Sequence, residues 1–184
     1  MIRQIAGTLV MIALSAPPAS YRAEIEKYRR DRVAELTAPD GWLAVRGLFW
    51  LHQGANTAGS DPASEIRLPA RTARRLGVFT LANGQITFTA DPAATVTSGR
   101  KPIATLTFGR GDDASIVSGG VTLLAIRRGD RIGLRMRDPE HRNRTTFKGL
   151  TYFPPASRYR VRAKFVSYAA LKPVPVPNVL DQIR

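Results

Sequence analysis

Apolar and polar residues follow two different rhythms along this chain, and the change comes near residue 40. Over YRAEIEKYRRDRVAEL, Ile25, Tyr28, Arg32 and Leu36 recur at spacings of three and four residues, with Glu24 and Glu26 near the start. That spacing predicts an α-helix over 21–38, its first turn favoured by acidic side chains next to the positive end of the helix dipole. Pro39-Asp40-Gly41 then reads as a turn that stops it. From there the period shortens to two. Val78–Leu81 and Ile86–Thr89 flank Asn83-Gly84, the dipeptide that suits a tight hairpin turn. Val121–Arg127 and Ile132–Arg137 flank Gly129-Asp130 and predict a second hairpin. Ile103–Phe108 alternates up to a Gly-rich turn, Gly109-Arg110-Gly111-Asp112-Asp113. The clearest alternation is Arg158–Phe165: Tyr159, Val161, Ala163 and Phe165 on one side, Arg158, Arg160, Arg162 and Lys164 on the other. A mainly β fold follows, an antiparallel sandwich or open barrel with one N-terminal α-helix.

The two ends stand apart from this pattern. Met1-Ile2-Arg3-Gln4, an uncharged run from Ile5 to Leu14, and Ser15-Ala16-Pro17-Pro18-Ala19-Ser20 have the order of a secretory signal. The run is too short to span a bilayer, and Pro17-Pro18 would stop the alternative, a buried N-terminal helix. Without Cys there is no lipoprotein anchor. At the other end Pro173, Pro175 and Pro177 predict an extended polyproline stretch. The expected organisation is a signal over 1–20, the helix over 21–38, a β domain over 39–172 and a Pro-rich tail over 173–184. The protein is then exported, periplasmic or secreted, with no transmembrane segment once the signal is removed.

Composition narrows the chemistry. The 184 residues hold 28 Lys and Arg against 14 Asp and Glu, a net charge of +14, with 43% hydrophobic residues, two His and no Cys. The apolar share is too high for a disordered chain. The missing Cys removes disulfides, thiol catalysis and iron–sulfur clusters, and His52 and His141 stand too far apart in sequence to suggest a metal site. Neither a metal nor a cofactor is expected.

The candidate catalytic residues are Ser60 and Asp138. Ser60 follows a Gly in a loop but forms no Gly-x-Ser-x-Gly elbow, and a turn hydroxyl bonded to its own backbone is the simpler reading. Asp138 ends the second hairpin amid Arg127, Arg128, Arg131, Arg135, Arg137, Arg142 and Arg144. A carboxylate there should be ionised and paired, which suits an architectural clamp better than a proton donor. Trp42, Phe49 and Trp50 read as core, with a ligand platform as the alternative. The candidate ligand-binding residues are Arg131, Arg135, Arg158, Arg160, Arg162 and Lys164, a basic β-face that would attract anions. Export and the lack of interleaved exposed aromatics argue against nucleic acid as the partner. Anionic envelope components (lipid headgroups, acidic glycans) or another protein fit better. In the plainer reading the arginines merely solvate a strand.

Several phrases taken together resemble an uncharacterised bacterial and archaeal family, domain of unknown function 1684. They are Asp40-Gly41-Trp42-Leu43 with Gly47-Leu48-Phe49-Trp50-Leu51, Gly59-Ser60-Asp61-Pro62 with Glu65-Ile66-Arg67-Leu68-Pro69, Arg128-Gly129-Asp130-Arg131-Ile132-Gly133-Leu134-Arg135 with Asp138, Phe147-Lys148-Gly149-Leu150-Thr151-Tyr152-Phe153-Pro154, Tyr159-Arg160-Val161-Arg162-Ala163-Lys164-Phe165 and Val176-Pro177-Asn178-Val179-Leu180. Relatives in that family run on into a second β portion, so the resemblance implies a C-terminally shortened form here. A second likeness, Gly59-Ser60-Asp61, Glu65-Ile66-Arg67-Leu68 and Thr97-Ser98-Gly99, resembles the pattern of forkhead-associated domains. Those are β-sandwiches that hold phosphothreonine. Ser60 stands where that family has its Arg, and Ser98 where it has Asn, so the likeness implies the sandwich more than the phosphothreonine site. The expected function is a non-enzymatic binding or interaction module of the cell envelope. The alternatives are a hydrolase acting on an anion held by Arg131 and Arg135 near Asp138, or an inactive shortened relative.

Overall fold

The computed structural model describes residues 21–109 and 114–170. The signal-like segment, the Asp112-Asp113 turn and the Pro-rich tail lie outside the described residues. The helix α1 runs from Tyr21 to Thr37. Eleven strands follow: β1 Val45–Trp50, β2 Gly54–Gly59, β3 Ile66–Arg67, β4 Gly77–Ala82, β5 Gln85–Ala90, β6 Thr97–Ser98, β7 Lys101–Pro102, β8 Thr105–Phe108, β9 Ser115–Ser118, β10 Val121–Arg128 and β11 Arg131–Arg137. A one-turn helix α2, Arg142–Thr145, comes after them. Residues Glu26–Tyr152 form one compact unit, which contains both sheets; of the described residues, 21–25 and 153–170 belong to another.

The strands make two sheets, in the orders β1-β11-β10-β9-β6-β7 and β3-β2-β4-β5-β8. All pairs are antiparallel except β2 with β3. Neither sheet closes on itself, so of the two expected architectures the sandwich is the one formed. Local chemistry explains both long hairpins. Asn83 and Gly84 take positive φ of 49° and 75°, the left-handed pair that matches the twist of β4 and β5. Gly129, with φ 58°, supplies the corresponding bend between β10 and β11. The alternate residues turned inward make the core. Phe79, Leu81, Ile86, Phe88 and Phe108 come from one sheet; Ile116, Leu123, Leu134 and Met136 come from the other. The Phe79 and Phe88 rings are 4.7 Å apart and tilted, a favourable aromatic arrangement.

The helix buries little of its surface. Only Leu36 is buried, and Tyr28 of the expected apolar stripe is 62% exposed. Lys27 pairs with Asp31 at 2.6 Å and Arg32 with Glu35 at 3.4 Å, which supports the helix locally. At its C-terminal end Arg144 donates from Nε to the Thr37 carbonyl at 2.7 Å, a cation on the negative end of the dipole.

One expected element is absent. Residues 158–165 do not form a strand: Ser157–Tyr159 is a single 3-10 turn and residues 160–168 have no regular structure. A strand persists only when a neighbour fills its backbone ladder and at least one face is covered. Among the described residues no neighbour supplies a ladder here, and both sides of the segment are exposed. The last strand ends at Arg137.

Candidate functional site

The outward side of β11 carries the feature richest in chemistry. Ile132, Leu134 and Met136 face the core. The alternate residues Arg131, Gly133, Arg135 and Arg137 therefore face out. The register sets their neighbours: Leu48 of β1 and Leu124 of β10 flank Arg135, while Trp50 and Ile126 flank Gly133. Arg128 pairs with Arg131 at the hairpin end. Gly133 leaves the space that Trp50 occupies, since a Cβ there would stand 2.9 Å from Trp50 Cε3 and 2.5 Å from the Phe49 carbonyl oxygen. Trp50 therefore packs closely at Gly133, and the Arg131 guanidinium stacks over its ring at 4.0 Å from the centroid. Arg135 lies over Trp42, in the 3-10 turn Trp42–Ala44, at 5.5 Å. A stacked guanidinium keeps its N–H edge free for the two oxygens of a carboxylate or phosphate.

The electrostatics of this face are one-sided. Among the described residues, none of Arg128, Arg131, Arg135 and Arg137 is paired with a carboxylate. Burial first, then the charges of Arg128 and Arg137, hold Arg135 below the usual arginine pKa. Arg137 Nε is buried without a hydrogen-bond partner. Like charges crowded on partly desolvated side chains favour any anion that can reach them.

Asp138, one residue past β11, is fully buried. A bulge in β1 between Val45 and Gly47 leaves Arg46 without a ladder partner, and its guanidinium reaches Asp138 Oδ2 at 2.7 Å. Arg71 binds Oδ1, and the Glu140 N–H donates to the same oxygen at 2.9 Å. Burial pushes the carboxyl pKa up, but the bonds from Arg71, Arg46 and Glu140 outweigh it and leave it below the ordinary range. Both oxygens are engaged, which makes Asp138 a clamp joining β1, the segment around Arg71 and the end of β11.

Ser60 donates from Oγ to the Thr72 carbonyl at 3.0 Å, a bond that pins two loops together. His52 contacts the Gln53 carbonyl through Nδ1 at 2.8 Å and Glu65 through Nε2 at 3.0 Å, on the surface. The structure does not bring Arg158, Arg160, Arg162 and Lys164 onto a sheet face: Arg158 lies within the turn Ser157–Tyr159 and the other three on the exposed segment after it. Among the described residues no group of three His, Asp or Glu side chains gathers as metal ligands, and no helix is long and apolar enough to cross a membrane. A cavity of about 380 Å³ opens on the outer side of the other sheet, over Thr57, Val78 and Thr89. Its two carboxylates, Asp61 and Asp91, are already paired with Arg74 and Arg75.

Residue patterns alone do not single out the Trp42–Arg135 and Trp50–Arg131 stacks. A usable signal was present: Trp50 follows Phe49, so in a strand the two must face opposite ways, and Gly133 sits midway between Arg131 and Arg135.

No family model matches the chain, and no curated protein matches it. Solved forkhead-associated (FHA) domains are similar to part of it. One is the FHA domain of FhaA, complexed with the intracellular domain of Rv3910, at 16% identity over 49% of this chain and 97% of that one, with a TM-score of 0.36. A second comes from a study of phosphothreonine-dependent FHA domain interactions, at 17% identity over 49% and 92%, TM-score 0.35. A third is the N-terminal FHA domain of EssC, a component of the bacterial Type VII secretion apparatus, at 16% identity over 50% and 46%, TM-score 0.39.

Proposed function

We propose that the protein is a non-enzymatic binding module that takes an oxyanion-bearing ligand on the outward face of β11. Arg131 and Arg135 are the two contacting guanidiniums, and Arg128 and Arg137 raise the local potential. The observation that carries this reading is that Arg128, Arg131, Arg135 and Arg137 share one hairpin and, among the described residues, none of them is ion-paired with a carboxylate. The stacks on Trp50 and Trp42 support it by fixing the guanidiniums before a ligand arrives, which lowers the entropy lost on binding. The signal-like leader supports an exported protein, and the anion is then a lipid headgroup or acidic glycan of the envelope. The phrases around Trp42, Phe49 and Gly133 support kinship with the uncharacterised family they resemble.

The test is binding to phosphatidylglycerol vesicles and to a soluble polyuronate across a salt series. Binding to at least one should weaken steeply with salt, because exposed charges are screened within about 10 Å at 0.1 M. Arg131→Glu with Arg135→Glu should abolish it. Absent binding, salt-independent binding, or binding that survives the double reversal overturns the proposal.

A further inference from the structure

Residues 159–165 combine three properties that folded chains keep apart. Tyr159, Val161, Ala163 and Phe165 alternate with Arg160, Arg162 and Lys164, a period-two pattern of residues suited to a half-covered strand. The apolar members lie in the open, with Val161 83% and Phe165 90% exposed. The backbone of residues 160–167 makes no hydrogen bond among the described residues. A segment with that pattern, an unfilled ladder and an uncovered apolar side has what an added strand needs: main-chain bonds for affinity and alternate side chains for selectivity.

The charges say what kind of edge would accept it. Antiparallel pairing with a second copy, centred on Arg162, would set Arg162 against itself and Arg160 against Lys164. Like charges directly opposite each other destabilise a strand pair, and each copy carries +14. The acid this stretch does meet is Glu24, 3.8 Å from Arg160, with Arg160 also over the Tyr21 ring. Its basic side therefore already selects a carboxylate.

We propose that residues 159–165 dock as an added strand on an open sheet edge of a partner protein. The apolar side chains continue the partner's apolar face, and Arg160, Arg162 and Lys164 meet acidic side chains on its outward face. This segment shares no residue with the proposed site at Arg131 and Arg135, so the two proposals stand or fall independently.

A peptide Glu-Val-Glu-Val-Glu-Val-Glu serves as the partner edge, with heptaglutamate and Lys-Val-Lys-Val-Lys-Val-Lys as controls. Hydrogen exchange of the full chain is read at amides 160–166. The Glu/Val peptide should slow exchange there, most at every second amide, because strand N–H groups alternate in direction. Neither control should do so. Val161→Pro with Ala163→Pro removes two donors and keeps every charge, and should abolish the slowing; Arg162→Glu with Lys164→Glu should abolish it as well. An unchanged thermal transition confirms that the variants still fold, since these positions lie outside every helix and strand of the sandwich. The proposal is overturned if no slowing occurs, if heptaglutamate slows exchange equally, or if slowing survives the double proline. Arg131→Glu with Arg135→Glu should leave the slowing intact, and its loss in that variant would overturn the proposal too.

Discussion

Replacing Asp138 with Ala removes a fully buried carboxylate and three hydrogen bonds at once, those from Arg46, Arg71 and the Glu140 N–H. Hydrogen bonds to a charged group contribute at least ~1.5 kcal/mol each, which for three would total about 4.5 kcal/mol. The arginines are not sealed in, however: their side chains are 41% and 28% exposed, so each can turn to water. Solvent screening reduces the expected loss to about 3 kcal/mol. For a chain of this size that corresponds to a fall in melting temperature of about 6–12 °C. Asp138→Asn keeps the shape and one acceptor oxygen and should cost about 2 kcal/mol. Thermal and urea unfolding at pH 7 measure both. The pH dependence gives a second check. The folded carboxyl pKa lies below its ordinary value, so between the two values the unfolded chain binds more protons. Stability from this clamp is complete above the ordinary carboxylate range and is lost as pH falls through the depressed folded value. The parent should therefore show an acid-side loss that Asp138→Asn lacks. An Ala variant melting within about 2 °C of the parent would show that the clamp contributes little and that the argument from burial is wrong.

Gly133→Ala should push β11 away from β1, because its Cβ would meet a backbone oxygen at 2.5 Å that cannot rotate aside. A cost of about 1–3 kcal/mol is expected, with a red shift in Trp50 emission and weaker vesicle binding. Gly84→Ala, where nothing lies closer than 3.9 Å, is the control: it should cost only about 1 kcal/mol, through the positive φ, and leave binding intact. His52 should titrate above its ordinary value, since the Gln53 carbonyl and then Glu65 favour its protonated form. Its small contribution to stability is present below the ordinary histidine pKa and lost as pH rises through the raised one. Glu65→Gln should bring the His52 ring-proton titration back down, and an unmoved titration would show that the contact does not persist in solution.

What could be read from residues alone was whatever depended on near neighbours. The hairpins at Asn83-Gly84 and Gly129-Asp130 follow from turn chemistry within a few residues, and so does the helix, supported by Lys27–Asp31 and Arg32–Glu35. That Asp138 would be ionised and paired was legible from the arginines around it. Which arginines hold it was not. Arg46 and Arg71 lie 92 and 67 residues away, and Arg46 arrives only because a bulge in β1 turns it there. The exposed side of Trp50 depends likewise on pairing between β1 and β11, a contact between distant parts of the chain.

The same arginine alternation met two fates, and the difference lies in the neighbours. Arg131, Arg135 and Arg137 alternate with Ile132, Leu134 and Met136, and Arg160, Arg162 and Lys164 alternate with Val161, Ala163 and Phe165. Alternation specifies which side each residue would take if a strand formed; it says nothing of whether a ladder partner exists. β11 has one on each side, β1 and β10, and its apolar residues reach the core. Its arginines are consequently fixed, partly desolvated and crowded, with Arg135 held below the usual pKa. Among the described residues, 160–167 have no ladder partner on either side, so alternation there fixes no face. Selectivity there must come from the backbone ladder and the apolar side, with charge choosing only among edges that already fit.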